Sequence, residues 1–282
     1  MDSRELRYFV AVAEEMHFGR AAQRLGIAQP PLSRTIMQLE RRLGTPLLRR
    51  DSRPVTLTEA GVVLLHEGRA ALEALEAAEH RARRAALAAT GGPRVTLAIK
   101  AGASTELLAK LLDAYAAEPD SVYVDVLLCG PGEQTRLLRN GHADVAILHP
   151  PIDDTTGFDT EELATEGQVA VLPAGHPLTT RTHVTAAEIA ELTDLPQPRW
   201  PRRDGTYADG PGPEVQSHSQ LLQLIALNRT TVIAPESCRS QLRTDVVAVP
   251  VIDAPRITTV MAWPPRSRLR AVAGLLRTAA RL

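Results

Sequence analysis

The stretch Gln29-Pro30-Pro31-Leu32-Ser33-Arg34 gathers an amide, a hydroxyl and a guanidinium around two adjacent prolines. Proline loses little in the first turn of a helix, where backbone N–H groups lack intrahelical acceptors, and its fixed φ favours a helix start. Such a leading end is slim, rigid and rich in side-chain donors, and its free N–H groups suit an anion. Within residues 34 to 53, six arginines (Arg34, Arg41, Arg42, Arg49, Arg50 and Arg53) face only Glu40 and Asp51. The chain as a whole carries a formal net charge of −1, yet residues 1–61 hold ten Arg against seven acidic residues, for +3. A local basic surface on a neutral protein suits a polyanion; the plainer alternative is a solvated helix face.

The elements that must position these groups follow from apolar spacing. Leu6, Phe9, Val10 and Ala13 mark one amphipathic helix, and Ala21, Ala22 and Leu25 a second that stops at Gly26. A third carries Leu32, Ile36, Leu39 and Leu43 as its apolar stripe and ends at Gly44, which leaves Pro30, Ser33, Arg34, Met37 and Arg41 on the outer face. This is a helix-turn-helix arrangement, whose second helix enters a DNA major groove. Residues 45–57, TPLLRRDSRPVTL, read as strand, polar turn and strand, a wing with Arg53 at its tip.

Residues 9–61, FVAVAEEMHFGRAAQRLGIAQPPLSRTIMQLERRLGTPLLRRDSRPVTLTEAG, resemble the winged helix-turn-helix of the LysR-type transcriptional regulators almost throughout. The resemblance implies that Gln29, Pro30, Ser33 and Arg34 approach bases and phosphates of double-stranded DNA, and that Arg53 reaches the minor groove. The chemistry agrees: Arg pairs bidentately with guanine, Gln with adenine, and a narrow minor groove attracts Arg. Two residues depart from the pattern. Ala28 stands where the family commonly has a capping Ser, and Met37 occupies a position that is often polar.

Thr58 and Glu59 open a proline-free helix predicted to run over 58–89, with Leu65, Leu72 and Leu75 near a heptad seam. It reads either as a helix packed into a second domain or as a partner helix, and the resemblance implies the latter, pairing two chains as a homodimer or homotetramer. TGGP at 90–93 reads as a hinge.

From Val95 onward, apolar runs alternate with amphipathic segments, which predicts an α/β domain with mostly parallel strands over 94–282. By its order of elements and LPAGHPL (172–178) it resembles the family's effector domain, two lobes of periplasmic-binding-protein type. Lobe I is predicted over about 94–164 and 250–282 and lobe II over about 166–248, with crossovers near 162–168 and 247–252. The expected fold is therefore a winged helix-turn-helix, a long linker helix and a two-lobed α/β effector domain.

Ligands of open α/β sheets lie beyond the carboxyl ends of strands. Ser104 and Thr105, Gly130, and Ser217 and Ser219 fall at such points, with His149 after another strand. Together they would suit a small anion, although the serines are equally readable as helix caps. Trp200, Arg202 and Arg203, in the proline-rich stretch 196–213, form either a lip of the same cleft or a surface loop.

No GxSxG, HExxH, GxxxxGK[ST] or GxGxxG motif occurs, and the eight histidines are dispersed, so a catalyst is not expected. Neither a metal nor a cofactor is implied beyond a small co-inducer. Cys129 and Cys238 read as buried thiols, with a redox pair as the alternative. No run reaches the roughly 18 apolar residues of a membrane span, and a cytoplasmic protein is expected. The reading is a regulator that binds DNA and a small anionic effector, with RNA polymerase as a further partner. Lobes that only oligomerise, or an α/β enzyme, are the alternatives.

Overall fold

The computed structural model describes residues 1–49, 55–201, 206–265, 267 and 270–282, and for 87–90 the backbone alone. The chain divides into two compact units, Met1–Arg83 and Arg84–Leu282, and the division falls inside one long helix.

The first unit opens with α1 (Ser3–Glu15), α2 (Phe18–Arg24) and α3 (Gln29–Leu43). Asp2 caps α1 in a reciprocal capping box with Glu5, each side chain accepting the other's backbone N–H at 2.8 Å. His17 caps α2, its Nδ1 accepting from Gly19 N at 3.0 Å and Arg20 N at 3.3 Å. No side chain caps α3 at Ala28, and its prolines occupy the first turn, where the missing N–H donors would have had no intrahelical acceptor. Gly44, in the left-handed region at φ 71°, ends it.

Phe9, Val12, Ala21, Leu32, Ile36 and Leu39 are fully enclosed at the centre of this unit. Leu43, expected on the same stripe, is 45% exposed. The chain reverses at Gly44, and Leu47 and Leu48 of the returning segment complete the cluster instead. β1 (Leu48–Arg49) and β2 (Thr56–Leu57) pair antiparallel as the base of the wing; its tip, with Arg50 and Arg53, lies outside the described residues.

α4 (Glu59–Gly91) is capped by Thr58, whose Oγ1 accepts from Gly61 N at 3.0 Å. Leu65 and Leu72, expected on a partner seam, pack with Leu64 against the first unit's core, while Val62, Val63 and Leu75 are exposed. A helix docked on one side gives its best leucines to its own domain. The hinge is shorter than 90–93, because Thr90 and Gly91 remain helical and only Gly92 (φ 80°) and Pro93 separate α4 from the next strand.

The second unit holds two sheets. The larger has the order β4-β3-β5-β10-β6, from β3 (Arg94–Lys100), β4 (Tyr123–Cys129), β5 (Val145–Leu148), β6 (Asp159–Glu166) and β10 (Ile257–Trp263). The smaller has the order β8-β7-β9, from β7 (Gln168–Pro173), β8 (Val232–Pro235) and β9 (Val246–Val251). α5 (Thr105–Ala116), α6 (Glu133–Arg139) and α9 (Arg270–Ala279) belong with the first sheet, and α7 (Ala186–Ala190) and α8 (His218–Ala226) with the second.

Among the paired strands of the described residues, β3, β4 and β5 alone run parallel to one another; β10 is antiparallel to β5 and β6, and β7 is antiparallel to β8 and β9. The expectation of mostly parallel strands fails because the chain leaves lobe I through β6 and returns through β10. The second crossover lies at 252–256 rather than 247–252, since all of β9 pairs within lobe II. β6 (DTEELATE) is largely exposed and lacks apolar alternation, as an acid-rich edge strand does.

Candidate functional site

On α3 the structure separates two faces. Leu32, Ile36 and Leu39 are buried, while Gln29, Pro30, Arg34 and Met37 are exposed and Ser33 is half-buried. Among the described residues, the side chains of Gln29, Ser33 and Arg34 make no hydrogen bond within the protein, so their donors and acceptors are open to a partner.

The basic residues sort by their partners. Arg34, Arg41 and Arg49 are exposed and without ion pairs among the described residues. Arg42 instead joins α3 to α1, its Nη1 and Nη2 reaching Glu5 at 3.0 and 2.8 Å. That bidentate bond, with the capping bond to Asp2, holds the Glu5 carboxyl down to about 2. Glu14 receives Arg69 from α4 and Arg24 from α2, both at 2.7 Å. Its burial raises the carboxyl's pKa, but the bonds from Arg69 and Arg24 outweigh that and lower it. Glu40 ties α3 to the wing by accepting from Leu47 N at 2.9 Å and Leu48 N at 3.1 Å. Glu5, Glu14 and Glu40 are thus structural: Glu5 and Glu40 tie α3 to α1 and to the wing, Glu14 ties α1 to α2 and α4, and the outer edge of α3 stays free.

In the second unit, a cavity of about 500 Å³ opens between the lobes. Parallel strands bring their carboxyl ends to one edge, so Lys100 ends β3, Cys129 ends β4 in register with it, and His149 follows β5. All three line the cavity, together with Ser104, Gly130 and Ile152. Lobe II contributes Val171, Trp200, Ser217, His218, Leu221 and the strand Val232–Pro235.

Ser104 does not cap α5. It sits at φ 48°, and its Oγ lies 2.9 Å from His149 Nε2. His149 is 1% exposed; its backbone N donates to Asp153 Oδ2 at 2.9 Å, and that oxygen lies 3.5 Å from its Nδ1. Burial raises the Asp153 pKa, but His149 and the charge of Lys100 more than reverse this and lower it, so the carboxylate is charged.

Thr105 is exposed, does not line the cavity and accepts from Gln241 Nε2 at 2.9 Å, a bond from one lobe to the other. Gly130 lines it, but its N–H already donates to Glu133 Oε2 at 2.7 Å. Ser217 lines it and also caps α8, accepting from Gln220 N at 3.2 Å. Ser219 is exposed and does not line it. Arg202 and Arg203 lie outside the described residues. The loop around Trp200 is fastened by Arg199, which donates to Gly212 O at 2.6 Å and Ala208 O at 3.0 Å.

Sequence reasoning missed Lys100 and His218. A lysine ending an otherwise apolar strand, VTLAIK, was the available signal for the first. His218 packs on the Gly102 backbone, where a Cβ would come within 2.6 Å of its Cδ2. Burial, aided by the charge of Lys100, lowers its pKa. Cys129 and Cys238 both line the cavity, and burial pushes each thiol up to about 11.

Residues 3–62 match the family model described as "Bacterial regulatory helix-turn-helix protein, lysR family", and residues 88–281 match "LysR substrate binding domain". This chain belongs to the LysR family of bacterial transcriptional regulators. Among LysR-family relatives, the transcriptional regulator IlvR of Caulobacter vibrioides is 32% identical, the alignment covering 98% of this chain and 97% of that one. AlsR of Bacillus subtilis is 35% identical over 71% of this chain and 66% of its own length. A full-length BenM mutant is similar in structure, with a TM-score of 0.56 and 25% identity over 100% of this chain and 95% of that one. As a LysR-type regulator the chain combines a DNA-binding helix-turn-helix with an effector-binding domain, the reading favoured over catalysis and over lobes that only oligomerise. Among the described residues no helix is long and apolar enough to cross a membrane.

Proposed function

We propose that the chain acts in the cytoplasm as a dimer or tetramer that sets two copies of α3 into successive major grooves and responds to a small anion bound between its lobes. The observation that carries this reading is the pairing of two prepared surfaces. One is the unbonded Gln29, Ser33 and Arg34 edge of α3; the other is the interlobe cavity with Lys100 on its wall.

Gln29, Ser33 and Arg34 would read bases or phosphates at the leading end of α3. Exposed Val62 and Val63 on α4 would support pairing of two chains. An effector that binds two lobe arrangements unequally shifts their populations, and α4 would carry that shift to the DNA-binding unit and so to contacts with RNA polymerase. The test is two-part: footprinting of the full chain on its own upstream region, and a thermal-shift screen of the full chain against a broad metabolite library. Protection of that region and a stabilising metabolite support the reading; no protection at low salt rejects its DNA half, and silence across the library its effector half.

A further inference from the structure

The cavity wall carries one positive charge that acts on the nearby Asp153 carboxylate but has no direct bond to it. Lys100 is one of only two lysines in the chain, and among the described residues its ammonium has neither a hydrogen bond nor an ion pair. Glu133, the other fully charged side chain among the lining residues described, is already engaged: Oε2 accepts from Gly130 N at 2.7 Å and Oε1 lies 3.4 Å from Arg136. One cation calls for one anionic group, and among the described lining residues no second cationic side chain is present to receive a second carboxylate, which Glu133 would repel.

Ser104 offers the complementary preference. In a neutral imidazole one nitrogen donates and the other accepts. The charged Asp153, 3.5 Å from Nδ1, favours the ring proton on that side and leaves Nε2 as the acceptor. With Nε2 accepting, the Ser104 hydroxyl donates to it across 2.9 Å, and the lone pairs of this cavity-lining oxygen are left for a donor. Those lone pairs repel a carboxylate and attract a donor, so Ser104 is not the anion's seat. The remaining surface, Leu128 and Ile152 from lobe I and Trp200, Leu221, Val232 and Ile233 from lobe II, suits a hydrocarbon body.

We propose that the effector is a small amphipathic hydroxycarboxylate. Its single carboxylate pairs with Lys100, its apolar body lies against the Trp200 wall, and its hydroxyl donates to Ser104. This rests on the interlobe cavity being the effector site.

The test is isothermal titration of the full chain with one family of probes: mandelate and 3-hydroxy-3-phenylpropionate, their deoxy forms phenylacetate and 3-phenylpropionate, the neutral mandelamide, and dianionic phenylmalonate. At least one hydroxy acid binds about tenfold or more tightly than mandelamide, and more tightly than its deoxy form and phenylmalonate. Lys100→Met removes the preference for acid over amide. Ser104→Ala removes the preference for hydroxy over deoxy acid and keeps that for acid over amide. The wild-type comparison stands alone if either variant misfolds. Equal binding of acid and amide, or tighter binding of phenylmalonate, overturns the proposal while the cavity remains an effector site. Failure of every probe at millimolar concentration also overturns it, and the metabolite screen then decides separately whether the cavity takes any effector.

Discussion

Arg84 on α4 places its Nη2 2.8 Å from Asp144 Oδ1, and the other oxygen of Asp144 accepts the Thr96 N–H at 3.0 Å. Asp144 directly precedes β5 and His149 directly follows it, so one four-residue strand joins the anchor of α4 to the cavity floor. Replacing Asp144 with Ala leaves a strand N–H without its acceptor and a half-enclosed guanidinium with the His142 carbonyl, 3.3 Å from Nη1, as its remaining partner. Hydrogen bonds to charged groups contribute about 1.5–3 kcal/mol, and a loss of about 2 kcal/mol is expected. Thermal unfolding of the full chain measures it, and an unchanged melting temperature would show that Arg84 finds another partner.

Gly61 lies where α4 crosses the wing, and a Cβ there would run into the Leu47 carbonyl oxygen. That backbone cannot move aside without disturbing the Thr58 N–H to Leu47 O bond of 3.0 Å. Gly61→Ala is therefore destabilising by about 1–3 kcal/mol despite the better helix propensity of alanine. A denaturant melt of the variant at or above wild-type stability would contradict this.

The Glu5 carboxyl, held down to about 2 by Arg42 against an ordinary value of 4.5, makes the first unit acid-sensitive. A depressed carboxyl stabilises fully above its unfolded value and loses that contribution as pH falls from about 4.5 through about 2. Arg42→Ala raises the Glu5 titration toward its ordinary value and narrows the window. Carboxyl titration followed by NMR should show this; an unshifted Glu5 curve would mean that the Asp2 cap alone sustains the depression.

Both cavity thiols sit at about 11, so the thiolate fraction at pH 7 is on the order of one in 10,000. Cys129 and Cys238 should alkylate far more slowly with iodoacetamide than a free thiol, by intact-mass readings over time. Fast labelling of either at neutral pH would restore the redox reading.

The first unit was legible because its signals are local: the stripe Leu32, Ile36 and Leu39, the Pro30 start and the Gly44 stop lie within one helix. Leu43 misled because phase alone does not say where a core ends. In the second unit, strand positions followed from apolar runs, but pairing direction did not, since β5 and β10 meet across more than a hundred residues. β6 was hidden by its acidic edge composition. The cavity residues divide the same way: Ser104 and His149 follow strand ends and Lys100 is itself a strand end, a local signal, whereas His218 became visible only once the two lobes faced each other.

The most direct measurement of the central claim is fluorescence anisotropy of the full chain on its upstream duplex and on a random duplex at fixed salt, compared with Arg34→Ala. If α3 reads bases through Arg34, the variant loses about 1–3 kcal/mol on the specific duplex and much less on the random one. Equal affinity of the wild type for both duplexes, with no loss in the variant, would contradict the account.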